Sequence, residues 1–352
     1  MILQILSSAY GAAASLRRRW YTSDPGRRRR LARPVVSVGN LRVGGTGKTP
    51  IAEYIARLLR ENGERPSVLT RGYARRAVGD GVTVVSDGDA ILADVSHAGD
   101  EPLMLARALP GVPVLVGANR YLSGLLAERR FGVTVHVLDD GFQHVQLARD
   151  VDLVLLDESD LTDRPLPGGR LREPLANGSA ADAALVDAGY TTAAERIGRA
   201  LGVPTVFRVT RALSPPRVIS TGDSVVVPPG ARVFAVAGIA RPERFFSDLA
   251  AVGWDVVGAL AFRDHYQFRP RDVRRIDAAA RAASAAVVLT TEKDAVRLRA
   301  CDLAALPNLP GGHYDVLFSC DRTDSKATVT LLRRAHQALS GEVVPRVRAA
   351  GP

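Results

Sequence analysis

The run Pro34-Val35-Val36-Ser37-Val38-Gly39-Asn40-Leu41-Arg42-Val43-Gly44-Gly45-Thr46-Gly47-Lys48-Thr49-Pro50 constrains this chain more than any other segment. An apolar strand leads into a glycine-rich loop, and the loop opens a helix continuing with Ile51, Ala52, Glu53 and Tyr54. Glycines permit a tight turn that aims backbone N–H groups at phosphate oxygens, and the helix N-terminus adds partial positive charge. Gly44, Gly45, Thr46 and Gly47 therefore read as a phosphate cradle, with Lys48 reaching the β- and γ-phosphates and the Thr49 hydroxyl on Mg²⁺. One position departs from the general pattern, which wants glycine five residues before Gly47, where Arg42 stands. The competing reading, a glycine-rich turn that binds nothing, does not account for the strand–loop–helix context.

Lysine usage points the same way. Of 47 basic residues only Lys48, Lys293 and Lys326 are lysine, and a compact ammonium on a flexible stem suits a phosphate loop. Further along, the apolar run Val133–Asp140 ends in two acids and continues as Gly141-Phe142-Gln143-His144. A strand ending in acids is where a phosphate-loop protein places its Mg²⁺-associated carboxylate, so Asp139 and Asp140 are candidates. Asp100, in Gly99-Asp100-Glu101-Pro102, precedes a helical stretch and could be a simple N-cap. His265, in Phe262-Arg263-Asp264-His265-Tyr266, could be structural, but a hydroxyl acceptor needs a base, and histidine with aspartate supplies one.

Beyond residue 33, short apolar strands alternate with helical stretches. The strand candidates are Val35–Val38, Ser67–Thr70, Val82–Val85, Val114–Val116, Val133–Asp139 and Leu153–Asp157; the helical ones include Pro50–Asn62, Glu101–Ala108 and Tyr121–Phe131. Such alternation implies parallel βαβ units with ligands at the carboxyl ends of the strands. A Pro- and Gly-rich break at Ser214–Gly230 separates a second α/β set: Val233–Ala237, a helix from Pro242, Trp254–Leu260, a helix from Pro270, and Ala286–Thr290. The expected organisation is an N-terminal segment 1–33, a P-loop ATP-binding domain 34–213, a linker 214–230, a smaller α/β domain 231–339 and a flexible tail 340–352. At 352 residues each domain could bury its own core. Cys301 and Cys320 form no metal spacing or disulfide framework, which fits a reducing compartment.

The net charge of +10 is concentrated at one end: residues 1–33 hold eight arginines against Asp24 alone. Before them, Met1–Leu16 is mostly apolar, with Gln4, Ser8, Gly11 and Ser15 recurring on one narrow helical stripe. The run is shorter than the roughly 20 residues that span a bilayer. Its charges follow the apolar stretch, unlike those of a signal peptide. A helix lying in the interface fits, with Trp20 and Tyr21 at headgroup depth and the arginines on anionic lipid. The competing view is a core-packed helix with a solvated basic loop. No aromatic-interleaved or recognition-helix pattern accompanies these arginines, so nucleic acid is not the expected partner.

Taken together, VGNLRVGGTGKTP (Val38–Pro50), LTRGYARR (Leu69–Arg76), GDEP (Gly99–Pro102), GANR (Gly117–Arg120), LDDGFQH (Leu138–His144), LPGGRLREP (Leu166–Pro174), FRDHYQF (Phe262–Phe268) and LTTEKDAVRL (Leu289–Leu298) resemble the tetraacyldisaccharide 4′-kinase family, the lipid A kinases. Gly238-Ile239-Ala240 departs from the family's second glycine at position 240. The resemblance implies a P-loop NTPase-type parallel sheet domain joined by a two-stranded linker to a smaller α/β domain, with the active site in the cleft. It implies transfer of the ATP γ-phosphate to the 4′-hydroxyl of a tetraacylated disaccharide 1-phosphate at the cytoplasmic face of the inner membrane. Carried onto this chain, Lys48 and Thr49 hold ATP and Mg²⁺. Asp139, Asp140 and Glu173 form the acidic metal-side cluster, and Asp100, assisted by His265, activates the hydroxyl. Arg71, Arg120 and Arg172 are expected phosphate contacts. The alternative is a membrane-associated P-loop ATPase switch without a small-molecule acceptor.

Overall fold

The computed structural model describes residues 1–44, 47–72, 81–187, 191–203, 205–213, 215–219, 223–299, 313–316 and 318–321. The expected tail 340–352 and Cys301 lie outside them. In chain order the first elements are α1 (Ile2–Thr22), β1 (Val35–Asn40), α2 (Lys48–Glu61), β2 (Pro66–Thr70), β3 (Thr83–Ser86), α3 (Val95–Ala98), α4 (Asp100–Ala108), β4 (Val114–Val116), α5 (Arg120–Phe131) and β5 (Val135–Asp139). There follow β6 (Val151–Leu156), β7 (Ala183–Asp187), α6 (Thr191–Leu201), β8 (Val206–Leu213), β9 (Arg217–Val218), β10 (Arg232–Ala237), α7 (Pro242–Ala251), β11 (Asp255–Ala261), α8 (Pro270–Ala282), β12 (Val287–Thr291), α9 (Glu292–Leu298) and β13 (His313–Val316).

Two compact units form. The first contains Met1–Arg71 and Gly117–Thr210, the second Gly72–Val116 and Arg211–Asp321. In the first, strands run in parallel in the order β8-β7-β6-β1-β5-β2. All six residues of β1 are buried, as expected of a strand covered on both faces. Strands β7 and β8, absent from the candidates above, extend this sheet. On one side Leu41, Phe142, Leu171, Ile197 and Leu201 pack into a common core with Val154 and Val186.

The second unit holds an antiparallel β3–β4 pair and a five-stranded sheet ordered β11-β10-β12-β13-β9. Along β10, Val233, Ala235 and Ala237 face Phe245 and Leu249 of α7, while Phe234 and Val236 face Val273 and Ile276 of α8. That is the period-2 alternation of a sheet sandwiched between helices. The expected linker contributes β9 to the edge of this sheet, antiparallel to β13. The expected P-loop domain 34–213 also divides differently. Residues 72–116 cluster with the second unit, because α4 packs on α9 through charged pairs far apart in sequence.

Candidate active site

In the first unit, β5 lies beside β1, with Val38 opposite Asp139. Asp139 therefore arrives next to the loop that follows β1, and the physical reason is strand adjacency. Gly47 caps α2 with φ 87°, a left-handed conformation that glycine adopts without cost. Lys48 and Thr49 are the first two helical residues. Of the other expected cradle residues, Gly44 has φ 99°, and Gly45 and Thr46 lie outside the described residues. The Thr49 hydroxyl is 3.4 Å from both carboxylate oxygens of Asp139, and the Thr70 hydroxyl is 3.4 Å from Oδ2. Sequence reasoning missed Thr70; its only signal was its place at the end of a strand neighbouring β5.

The next residue turns sharply. Asp140 has φ 55°, and it is one of three non-glycine residues with positive φ among the described residues; His265 is another. Holding a non-glycine residue there costs of order 1 kcal/mol or more, which the surroundings must over-determine. They do so through Gly39, where a Cβ would come within 2.5 Å of the Phe142 Cβ, so the turn lies flat on β1. Asp140 then meets Lys48 Nζ at 3.6 Å and both terminal nitrogens of Arg172 at 2.7 and 2.9 Å. Burial pushes the Asp140 carboxyl up, but the Arg172 hydrogen bonds and the Lys48, Arg172 and Arg120 charges pull it down to about 2. It is ionised at neutral pH.

Arg172 is placed by backbone pairing: its N–H donates to Leu41 O at 2.6 Å, and Val43 N–H donates to Arg170 O at 2.8 Å. Arg42 sits between them, 2% exposed. Its Nε is 2.9 Å from Asp160 Oδ1, in an ion contact too bent to be a hydrogen bond. Its Nη2 is 3.6 Å from Asp163 Oδ2 and donates to Ser159 Oγ at 3.0 Å. The residue that departs from the general loop pattern is thus the centre of a buried ion cluster.

Arg120 is buried and held below its ordinary value, to about 10, chiefly by burial; Asp140 and Asp139 oppose this and Arg71 adds to it. It remains a cation. His144 is pushed down to about 3 by burial and by Arg120, Arg149, Arg17 and Arg71, so it is neutral. Lys48, Arg71, Arg120 and Arg172 outnumber Asp139 and Asp140 by two charges, and Arg120 Nε and Arg172 Nε are buried without acceptors among the described residues. Such a surplus of buried donors fits a polyanionic ligand.

Glu173 is engaged elsewhere. Arg18 Nε and Nη2 each donate to it at 2.7 Å, Gln143 Nε2 at 2.9 Å and Asn177 Nδ2 at 3.0 Å. Arg18 also donates to Phe142 O at 2.8 Å and stacks 4.1 Å over the Phe142 ring. Four donors on one carboxylate make Glu173 the anchor of α1. Arg18 and Gln143 were not among the expected site residues.

In the second unit Asp100 is the first residue of α4, and no side chain caps that helix. The simple capping role is therefore not the one it plays. Its Oδ2 is 3.1 Å from His265 Nδ1 and 3.4 Å from Arg297 Nε. Burial raises the Asp100 pKa, but the His265 hydrogen bond and the Arg297, His265 and Lys293 charges outweigh it and leave the carboxyl below its ordinary value. His265 Nε2 is 3.2 Å from Lys293 Nζ. Arg297 is held in turn by Asp294 at 2.6 Å and by Gly238 O at 3.0 Å.

The helix α1 is built inside out. Ser7 accepts from Gly168 N–H at 2.8 Å and Ser15 donates to Asn177 at 3.0 Å, so the small polar stripe faces the protein. Gln4, Ser8, Gly11, Ser15 and Arg19 line a cavity of about 410 Å³ against Arg164, Pro165 and Pro174. The large apolar residues face out: Ile2, Leu3, Ile5, Leu6, Tyr10, Leu16 and Trp20 are all exposed. Among the described residues no helix is long and apolar enough to cross a membrane.

Residues 1–323 match the family described as tetraacyldisaccharide-1-P 4′-kinase, so the match includes α1. Tetraacyldisaccharide 4′-kinase of Halothermothrix orenii is 38% identical over 322 residues, covering 86% of this chain and 84% of that protein. The enzyme of the same name from Geobacter metallireducens is 40% identical over 301 residues, covering 84% and 88%. The crystal structure of "apo" form LpxK from Aquifex aeolicus in complex with ATP superposes with a TM-score of 0.75 at 31% identity, over 95% of this chain and 98% of that one. The chain belongs to the tetraacyldisaccharide-1-P 4′-kinase family.

Proposed function

We propose that the chain transfers the γ-phosphate of ATP to the 4′-hydroxyl of a tetraacylated disaccharide 1-phosphate. The observation that carries this reading is the convergence of Lys48, Arg120 and Arg172 with Thr49, Asp139 and Asp140 at the carboxyl ends of β1 and β5. Phosphoryl transfer asks a protein for positioning and charge neutralisation more than for covalent chemistry, and this cluster supplies both. Lys48 takes the β- and γ-phosphates, and Arg71, Arg120 and Arg172 take the remaining negative charge. Thr49, Asp139 and Asp140 offer hard oxygen donors of the kind Mg²⁺ prefers. Two carboxylates suffice, because that ion keeps water and phosphate ligands. When bound, the ion would neutralise charge on the transferring phosphate. Asp100 accepts the proton of the acceptor hydroxyl as its oxygen bonds to phosphorus and the bond to ADP breaks, and His265 orients the carboxylate.

The direct test is incubation with labelled ATP and the disaccharide acceptor, followed by identification of the phosphorylated position. Label on the 4′-oxygen supports the reading. Acceptor-independent hydrolysis with ATP-dependent dimerisation would overturn it in favour of a switch ATPase. Within that assay Lys48→Met should lower kcat/KM for ATP by about 10²–10³-fold, the size expected for loss of one preorganised charge at the reacting phosphate.

The same reading places the enzyme at a membrane surface. An acceptor with four acyl chains stays in lipid, and α1 offers an outward apolar face with arginines along and after it. Replacing Ile2, Ile5 and Trp20 together by serine removes exposed apolar surface and leaves the inward polar stripe intact. Co-sedimentation with vesicles of anionic lipid should fall at least about tenfold, since each large apolar side chain is worth about 1.5–3 kcal/mol when fully buried. Turnover of detergent-dispersed acceptor should change little. Unaltered vesicle binding would refute the membrane role of α1.

A further inference from the structure

We infer that Lys293 is a positioning residue that fixes the proton of His265 on Nδ1 and so keeps the Asp100–His265 pair in its working form. The inference rests on Asp100 being the base and extends it to a residue that no sequence motif alone assigned. Lys293 is one of three lysines in a chain with 44 arginines, and it lies far from the phosphate loop in sequence. Its Nζ is 3.1 Å from Glu101 Oε1, 3.3 Å from Asp264 Oδ1 and 3.2 Å from His265 Nε2. Three contacts on one nitrogen match the three N–H groups of an ammonium, whereas a guanidinium spreads its donors over a planar fork. An ammonium has no lone pair, so Nε2 must be the acceptor. The ring proton then sits on Nδ1, 3.1 Å from Asp100 Oδ2, where it donates to the carboxylate and orients it.

The charges around the ring explain why this needs enforcing. Asp100 approaches the ring from α4 and Asp264 from the histidine's own loop, while Glu101 of α4 meets the Lys293 ammonium. From α9, Arg297 reaches Asp100 and is itself neutralised by Asp294. With Lys293 removed, Asp100 and Asp264 remain against the imidazole and no ammonium is left at Nε2 to exclude a second proton. An imidazolium donating to Asp100 holds that carboxylate more tightly and makes it a poorer proton acceptor.

The test uses the full-length chain with Lys293→Met, which keeps the length of the side chain and removes its charge and donors. Its kcat should fall about 10–100-fold, a modest share of a general base's contribution, with KM for ATP unchanged within about twofold. The acid limb of its kcat–pH profile should move to higher pH by about one unit, a tenfold change in proton affinity. A second readout does not depend on turnover. With ¹⁵N-labelled histidine, and His265→Gln to assign one of the six histidine signals, Nε2 of His265 should be unprotonated in the wild type. In Lys293→Met it should move towards the protonated range. If Asp100→Asn retains wild-type turnover, the base assignment fails. If Asp100→Asn is inactive while Lys293→Met keeps the wild-type acid limb and Nε2 signal, the role given to Lys293 fails alone.

Discussion

Asp100→Asn should lower kcat by about 10²–10⁴-fold, the usual contribution of a positioned general base, while leaving KM for ATP within about twofold. The amide keeps the size of the side chain and can still accept from His265 Nδ1, but it cannot take the proton of the acceptor hydroxyl. ATP binding should survive because the residues proposed to hold it, Lys48, Thr49, Arg120 and Arg172, belong to the first unit, and Asp100 to the second. The measurement is steady-state kinetics with both substrates varied, beside a thermal melt. A variant that melts like the wild type and turns over within tenfold of it would remove Asp100 from the mechanism. The pH dependence has a definite sign. Asp100's folded-state pKa is depressed, so its pairing with His265, Arg297 and Lys293 stabilises the fold above the ordinary carboxylate range, near pH 4. That stabilisation is lost as pH falls through the depressed value. Asp100→Asn should therefore show its full stability cost at pH 7 and progressively less as pH falls below about 4.

The parts of this site that were legible in the sequence are those where chemistry and local pattern coincide. A strand, a glycine-rich turn and Lys48-Thr49 announce a phosphate loop, because few other tasks need that order of residues. Asp139 was legible for a topological reason: in a parallel sheet a second strand ending in acids has few places to end other than beside the loop. The polar stripe of α1 was also visible, but its direction was not. It turns inward because Gly168, Asn177 and Pro174 are there to receive it, more than 150 residues away in sequence. The same distance hid the Arg18–Glu173 pair, which ties Glu173 to α1. Residues 72–116 read as part of the first domain because they lie between its strands. Their association with the second unit is written in Glu101–Lys293 and Asp100–Arg297, pairs that no periodicity reports.

Arg42 is where the general pattern would have misled, and it carries the second large expected effect. Arg42→Gly restores the glycine that the usual phosphate loop has at this position, and it should be among the most damaging substitutions in the chain. Arg42 and Asp160 are 2% and 1% exposed, with Asp163 and Asp157 close by. Burial raises the Asp160 pKa, and the Asp157 and Asp163 charges add to that; the Asp157 backbone N–H and the Arg42 cation oppose them. Without it, the Asp160 carboxyl is left buried beside like charges with no cation, and must take up a proton at a cost in stability. Breaking a buried pair in this way costs about 3–5 kcal/mol, and in a chain of this size that lowers the melting temperature by roughly 5–15 °C. Arg42→Met, which keeps the volume, separates charge from packing and should lose most of the same stability. The folded variant would hold a proton on Asp160 that the unfolded chain releases near pH 4, so its deficit should grow as pH rises from 5 to 7. Adding Asp160→Asn to Arg42→Met should recover part of the loss, because the stranded charge is gone. Thermal melts of the two single variants and the double at pH 5 and pH 7 decide it. Additive losses in that cycle, or a pH-independent deficit, would mean that Arg42 acts by packing alone.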